Sequence, residues 1–551
     1  MPSRVRETKT PVRPTALGAD TSAWSSPSVP VRRKLPACLA LLACVTAHAQ
    51  DDPSRTLFRP GTVLELRIEL DEAAVASLRT NPRSHVRATL HDGRTAHRDV
   101  GVKLKGAAGS FREFDDRPAF SISLDKFDSP TDFHGLRKFH LNNSVQDGTL
   151  LHEWLGSGLA GAAGVPATRV AHARVRVNER DLGMYVLKEG FDERFLQRHF
   201  GSRDAILFDG GFCQDIDADL ELDEGDEATA RERLAALREA CAIADPAARA
   251  RRLAELVDVD AFVTFVALEL MLGHWDGYAM NRNNYRLVFP PEGGARFLPH
   301  GMDQLFGDAE ASILSMPPAI VARALLRLPD VRKKYRKRVT ELLPLFAPAK
   351  LGPRIAEVVA GLRPAMARLG DEAATAHRDA VTDLEARLAA RWRSLREQAA
   401  APDPKPVATE PGRLVAVKGW HPAPESEEAQ LEETRIEGVR ALLLASRTGN
   451  PVTASWRTTV LLAPGRHRFV ATVRTDSVVG AEGDADAGVT VRVSGQAAER
   501  RIQSTARWDR IEFEFEVQNE PDDIELVVEL RNASGRAWVQ QDSLRVGRLK
   551  P

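Results

Sequence analysis

The chain reads as an α+β protein: a sheet-rich lobe, then a helical lobe, then an all-β sandwich or jelly roll. Three observations carry that reading. Residues 57–187 alternate apolar and polar side chains with the period of two that half-buried strands need. Residues 190–400 place Leu, Ala and Val at three- and four-residue spacing among charged side chains, the pattern of amphipathic helices. After the proline-rich run from Ala400 to Pro406 the chain returns to short strands, about ten residues apart, as in a sandwich. With 551 residues the chain is too long for one core. The expected divisions are a disordered start and leader at 1–50, the sheet-rich lobe at 51–189, the helical lobe at 190–399, a linker at 400–411 and the sandwich at 412–551.

Lys and Arg number 76 and Asp and Glu 77, for a formal net charge of -1. Such a balance creates no field drawing the chain to nucleic acid, and no nucleic-acid partner is expected. Residues 1–30 are rich in Ser, Pro and Arg. Arg32-Arg33-Lys34 then precedes an apolar run at 35–45 and the small-residue motif Ala47-His48-Ala49. That is the layout of a secretory signal cleaved near Ala49, and the apolar run is too short to span a bilayer. The expectation is a secreted, periplasmic or cell-surface protein with no membrane span after cleavage. Cys38 and Cys44 fall in the leader. Cys213 and Cys241 remain, either as a disulfide in an oxidising compartment or as two unpaired thiols.

In chain order, strands are expected at 63–70, 85–91, 98–104, 119–124, 137–142, 170–177 and 183–187, with a short helix at 71–79. Lys105-Gly106-Ala107-Ala108-Gly109-Ser110 is a small-residue loop between two strands. It is either a plain turn or a backbone cradle for phosphate. Asp147 is placed to cap a helix at 150–164 that carries Glu153. Residues 209–227 are acidic and read as a solvated loop. Helices follow at 222–244, 246–256 and 261–272, then a hairpin at 286–289 and 296–299, then helices to residue 399.

The hairpin is the centre of the chemistry. His274-Trp275-Asp276 stands before it with Asn281 following, and Met302-Asp303-Gln304-Leu305-Phe306-Gly307 stands after it. A tight hairpin brings Asp276, Asn281 and Asp303 towards one place. Phosphoryl transfer uses such a set: one carboxylate orients the attacking hydroxyl, and a second carboxylate with an amide oxygen holds a divalent ion on the phosphates. The same residues are common in turns and caps. Two carboxylates can also act as the acid and base of a glycosidase.

Three sets of residues resemble the CotH-like kinase family, named for a spore coat protein H. They are Val100-Gly101-Val102-Lys103-Leu104-Lys105-Gly106 with Ser110; Val165-Pro166-Ala167 through Gly183-Met184-Tyr185 and Glu189 to Phe195-Leu196; and Asp276, Asn281, Asn283-Asn284-Tyr285, Phe297-Leu298-Pro299, Met302-Asp303 and Phe306-Gly307. The resemblance implies a two-lobed, atypical protein-kinase-like domain that is extracytoplasmic. It implies transfer of the γ-phosphoryl group of ATP, with Mg²⁺ or Mn²⁺, to a hydroxyl, Ser or Thr of an extracytoplasmic protein being the leading acceptor. Asp276 takes the catalytic position, and Asn281 and Asp303 the metal positions. Lys105, Gly106, Gly109, Ser110, Arg117, Glu153 and Glu189 are the nucleotide-binding set, with 188–190 at the hinge near the adenine. The run Asp115-Asp116-Arg117-Pro118 departs from the family, where many relatives carry a lysine. Arg117, Lys103, Lys105 and Lys126 are left to anchor the phosphates. The rival expectation is a kinase-like surface protein without turnover that binds a partner or glycan. The C-terminal module resembles carbohydrate-binding jelly rolls. A polysaccharide could stack there on Trp420, Trp508 or Trp538, unless these rings pack in the core.

Overall fold

Seven strands expected from alternation form, and they close on one another. They are β1 (Val63–Glu69), β2 (Val86–Asp92), β3 (Thr95–Lys105), β4 (Ala119–Ser123), β5 (Lys138–Asn142), β6 (Val170–Val177) and β7 (Arg180–Glu189). The computed structural model describes residues 52–127, 132–484, 486–503, 505 and 507–550; the expected leader, with Cys38 and Cys44, lies outside them. The strands follow the order β1-β2-β3-β4-β5-β7-β6. β6 returns to β1 in parallel register, from Val63 against His172 to Ile68 against Val177. Closure leaves no unpaired edge. Leu66, Ile68, Val102, Phe120, Ile122, Val175 and Tyr185 share one apolar core.

The helix His152–Ala162 follows β5 and lies inside the expected 150–164; its N-cap position is Leu151, whose side chain makes no cap. The Asp147 carboxylate accepts the backbone N–H of His152 at 2.9 Å and that of Thr149 at 2.9 Å. It thereby satisfies donors that a helix start leaves free.

A second sheet carries the hairpin: β8 (Ile206–Asp209), β9 (Glu221–Glu224), β10 (Tyr285–Phe289) and β11 (Arg296–Pro299), in the order β11-β10-β8-β9. Part of the acidic segment expected as a solvated loop is therefore strand, and the next helix starts only at Glu227. The cause is charge pairing across the sheet. Arg286 on β10 meets Asp209 at 2.6 Å and Asp223 at 3.6 Å.

Behind this sheet runs the helix Val259–Leu272, buried on nearly every side. Asp258 caps its start and Gly273 ends it at φ +63°, where a side chain would be strained. Its last carbonyls are taken by Arg391 of the long helix Asp371–Ala400. That guanidinium donates to Leu270 O at 2.6 Å and Met271 O at 3.1 Å, and also to Ala309 O at 3.0 Å and Ala311 O at 2.6 Å. One buried cation thus ties together the chain before and after the hairpin. Burial holds it down, at about 10.

Beyond the linker, ten antiparallel strands among the described residues surround a separate apolar core that includes Trp456 and Phe469. Two long strands, Gly465–Gly480 and Asp522–Gln540, change partners along their length, so the sheet folds over on itself. The module is fastened to the helical part by charge: Arg249 to Glu520 at 2.6 Å, Arg323 to Asp522 at 3.1 Å and Arg327 to Asp522 at 2.5 Å. No helix among the described residues is long and apolar enough to cross a membrane.

Candidate active site

A cavity of about 380 Å³ opens between the barrel and the second sheet. The barrel side contributes Lys105, Gly106, Ser110, His140, Asn142 and Gln146, and the helix His152–Ala162 contributes Glu153. The opposite wall contributes Asp276, Asn283, Asn284, Arg286, His300 and Asp303. Asp276 and Asp303, 27 positions apart by their numbers, therefore face one space.

Asp276 is held by amides. Its Oδ1 accepts from Asn281 at 2.6 Å and from Asn283 at 3.1 Å, and its Oδ2 accepts from Asn284 at 2.8 Å. The loop itself hangs from Glu269, a buried carboxylate on the apolar helix. Glu269 accepts the backbone N–H groups of Tyr278 at 3.1 Å and Ala279 at 2.8 Å. A Cβ on Gly277 would lie 2.7 Å from the Glu269 carboxylate, so only glycine permits this approach.

Asp303 has a different setting. Burial, and next the charge of Glu153, raise its carboxyl to about 6. Glu153 is itself neutralised by Lys188 at 2.8 Å, a pair with side chains 2% and 0% exposed. Lys105 donates to Asn142 Oδ1 at 2.7 Å. Burial and the nearby Lys188 bring the Lys105 ammonium down to about 8. His140 and His300 are pushed well below their ordinary value by burial and by surrounding cations, and their Nδ1 atoms lack partners. The cleft thus combines carboxylates, cations and neutral imidazoles, a composition suited to a charged, polar ligand.

The family model described as CotH kinase protein matches residues 102–392. The chain belongs to the CotH kinase family. No curated protein matches it. Among solved structures it is similar to TmCBM61 in complex with beta-1,4-galactotriose, with 14% identity, 24% of this chain and 90% of that chain covered, and a TM-score of 0.18. It is also similar to the CBM22-1 xylan-binding domain from Paenibacillus barcinonensis Xyn10C, with 15% identity, coverage of 26% and 99%, and a TM-score of 0.19. A third is the carbohydrate binding module CBM6cm-2 from Cellvibrio mixtus lichenase 5A in complex with cellotriose, with 15% identity, coverage of 23% and 92%, and a TM-score of 0.16. Scores this low carry no argument about ligands.

In this CotH kinase family member Lys105, Gly106, Ser110, Glu153, Asp276 and Asp303 line the cleft. Gly109 sits in the loop at φ +82°, beside the Gln146 amide. Asn281 stands behind Asp276, while Asn283 and Asn284 reach the cleft wall. Two expected nucleotide contacts are corrected. Arg117 is turned away: it donates to Met184 O at 2.5 Å, packs over Tyr185 and lines a different cavity. Glu189 is locked between Arg169 and Arg198, each at 2.7 Å. Gly190 beside it packs on Lys138, where a Cβ would meet the backbone at 2.8 Å, so 188–190 is a packed junction. Of the two readings left open for the cysteine pair, the structure has the unpaired one. Cys213 and Cys241 are free thiols, the first exposed near Asn281 and the second packed at the edge of the helical core.

Sequence reasoning missed Arg286, His140, His300 and Glu269, and gave Lys188 a hinge position where it forms the ion pair with Glu153. Each sits on a strand, at a strand end or in an apolar helix, where its charge or ring reads as ordinary alternation. A charged residue such as Glu269 within an eleven-residue buried stretch was the one available signal, because a buried carboxylate needs a partner.

Asp303 yields a pH prediction. Its folded value of about 6 lies above the ordinary 3.8, so the native state holds this proton more tightly than the unfolded chain. The associated stability is complete below about pH 4 and is lost as pH rises through about 6. Without divalent metal, Asp303→Asn should match the parent in urea melts at pH 4. It should exceed the parent by up to about 3 kcal/mol at pH 7.5. A gap independent of pH would contradict this setting.

Proposed function

We propose that the chain is an extracytoplasmic phosphotransferase. It transfers the γ-phosphoryl group of ATP to a hydroxyl, with protein Ser or Thr as the leading acceptor. The barrel and the helical part act as the two lobes of a kinase-like domain, with the cleft between them. The observation that carries this reading is the meeting of Asp276, Asp303, Lys105 and the Gly106–Ser110 loop around one cavity, within a chain of the CotH kinase family.

The donor set fits a divalent ion. Asp303 is a carboxylate whose ionisation is opposed by burial and by Glu153, which is the situation an added cation relieves. Among the described residues no group of three or more His, Cys, Asp or Glu side chains is placed to hold a metal by itself. Mg²⁺ commonly takes one or two protein carboxylates and completes its shell with phosphates and water. Asp303, with an amide oxygen from the loop 281–284, would hold Mg²⁺ or Mn²⁺, and the ion would neutralise charge on the phosphates.

The remaining steps belong to the protein. Lys105 and Arg286 supply positive charge to the phosphate end of the cleft. Asp276, oriented by three amides, receives the acceptor hydroxyl and its proton. Its orientation is fixed before substrate arrives, so little reorganisation is needed during transfer.

With MgATP, the full chain should show a raised Tm and release ADP. Asp276→Asn should keep the thermal shift but lose about 10²–10⁴-fold in turnover. Asp303→Ala should lose both the metal-dependent shift and the turnover. Turnover persisting in Asp303→Ala would refute the mechanism.

A second reading, a glycan-binding module, has its own observation. A cavity of about 680 Å³ in the sandwich is lined by Trp420, Lys418, Glu433, Arg440, Gln541 and Asp542. Trp420 is braced on Phe469, rings 5.8 Å apart and 17° from parallel, whereas Trp456 is buried with its Nε1 on Leu443 O. An aromatic edge among free polar side chains suits a sugar ring. In affinity electrophoresis against a panel of plant and bacterial polysaccharides, at least one should retard the parent, and Trp420→Ala should abolish the retardation. Equal migration of both proteins on every polysaccharide would reject the reading.

A further inference from the structure

Among the described residues four large apolar side chains stand exposed: Val479 at 62%, Phe212 at 59%, Trp275 at 54% and Met280 at 41%. Val479 belongs to the sandwich. The other three lie on the two segments that enclose Asp276. Trp275 immediately precedes it, and Met280 is on the short helix Tyr278–Asn281 that follows. Phe212 lines the cleft with Asp276. The turn carrying Phe212 is fastened to the Asp276 loop: Asn281 donates to Cys213 Sγ at 3.5 Å, and the Cys213 N–H donates to Asn283 Oδ1 at 3.5 Å. Exposed aromatic and Met side chains grouped in this way mark interaction surfaces.

The three amides beside these side chains are already engaged. Asn281, Asn283 and Asn284 all donate to Asp276. A sugar, which presents hydroxyls around its whole edge, would find few free amides here. An apolar side chain on an extended peptide would lose nothing, and Met280 would adapt to its shape.

We propose that Phe212, Trp275 and Met280 form a docking surface for a polypeptide acceptor, receiving a large apolar side chain that lies next to the phosphorylated hydroxyl. This rests on the phosphotransfer reading above. In the step it serves, the acceptor oxygen forms a bond to the γ-phosphorus. The bond from that phosphorus to the bridging oxygen breaks, and ADP departs with the electron pair. The hydroxyl proton goes to the Asp276 carboxylate and then to solvent. The docking surface is continuous with the cleft at Phe212, so a side chain seated on it brings the neighbouring hydroxyl to Asp276.

The test uses the full chain with γ-labelled ATP and Mg²⁺ or Mn²⁺, a positional-scanning library of Ser and Thr peptides, and a panel of oligosaccharides. The parent should favour peptides with Leu, Phe or Trp within two or three positions of the hydroxyl. Trp275→Ser and Met280→Ser should raise KM for those peptides about tenfold and leave kcat within about twofold. ATP binding, and slow transfer to water, should remain unchanged in both variants. Transfer insensitive to both substitutions, selection of charged flanking residues alone, or labelling of oligosaccharides alone overturns the docking proposal and leaves phosphotransfer standing. Failure of the parent to bind ATP refutes phosphotransfer itself, and the docking proposal with it.

Discussion

The ion pair between Glu153 and Lys188 is the constraint on which the cleft depends. It is almost wholly buried, so neither partner can be lost without leaving an uncompensated charge in a low-dielectric interior, a loss of about 3–5 kcal/mol. Lys188 is on the barrel strand β7, and Glu153 is on the helix His152–Ala162. The residue before Glu153 continues the connection: His152 Nδ1 meets the backbone oxygen of Asp303 at 2.8 Å. One helical turn therefore fixes the barrel on one side and the segment after the hairpin on the other. The charge of Glu153 also helps to set the acidity of Asp303. Position and electrostatics have the same source.

The opposite wall is built by a different device. Among the described residues no cation is bonded to Asp276, and three asparagines supply the donors instead. Amides orient a carboxylate without pairing its charge. Below the loop, Glu269 fixes the backbone and Arg391 fixes the end of the supporting helix. The two acids thus receive distinct environments, one polar and supported by neutral donors, the other buried beside a like charge.

Much of this is legible in the sequence. The seven barrel strands follow from period-two alternation, because each needs one face inside and one outside. The role of Asp147 at the start of the helix His152–Ala162 follows from local chemistry. Closure of the barrel through the parallel β1–β6 pair was not legible, since a single strand carries no record of its partner. The strand Glu221–Glu224 was missed because its acidic side chains gave no β signal, and only pairing with Arg286 and the neighbouring edge stabilises it. Arg117 and Glu189 lie close in sequence to the right loop and strand, but their side chains are captured by Met184 and by Arg169 and Arg198. Whether Cys213 and Cys241 pair depends on a proximity that spacing alone does not encode.

The central claim is that Asp303 holds a divalent ion on a triphosphate in reach of Asp276. The most direct measurement is an anomalous-difference map from crystals grown with Mn²⁺ and a non-hydrolysable ATP analogue. The account predicts a manganese peak in bonding contact with the Asp303 carboxylate, with the terminal phosphate facing Asp276. A peak elsewhere, or a nucleotide bound outside this cleft, would contradict it.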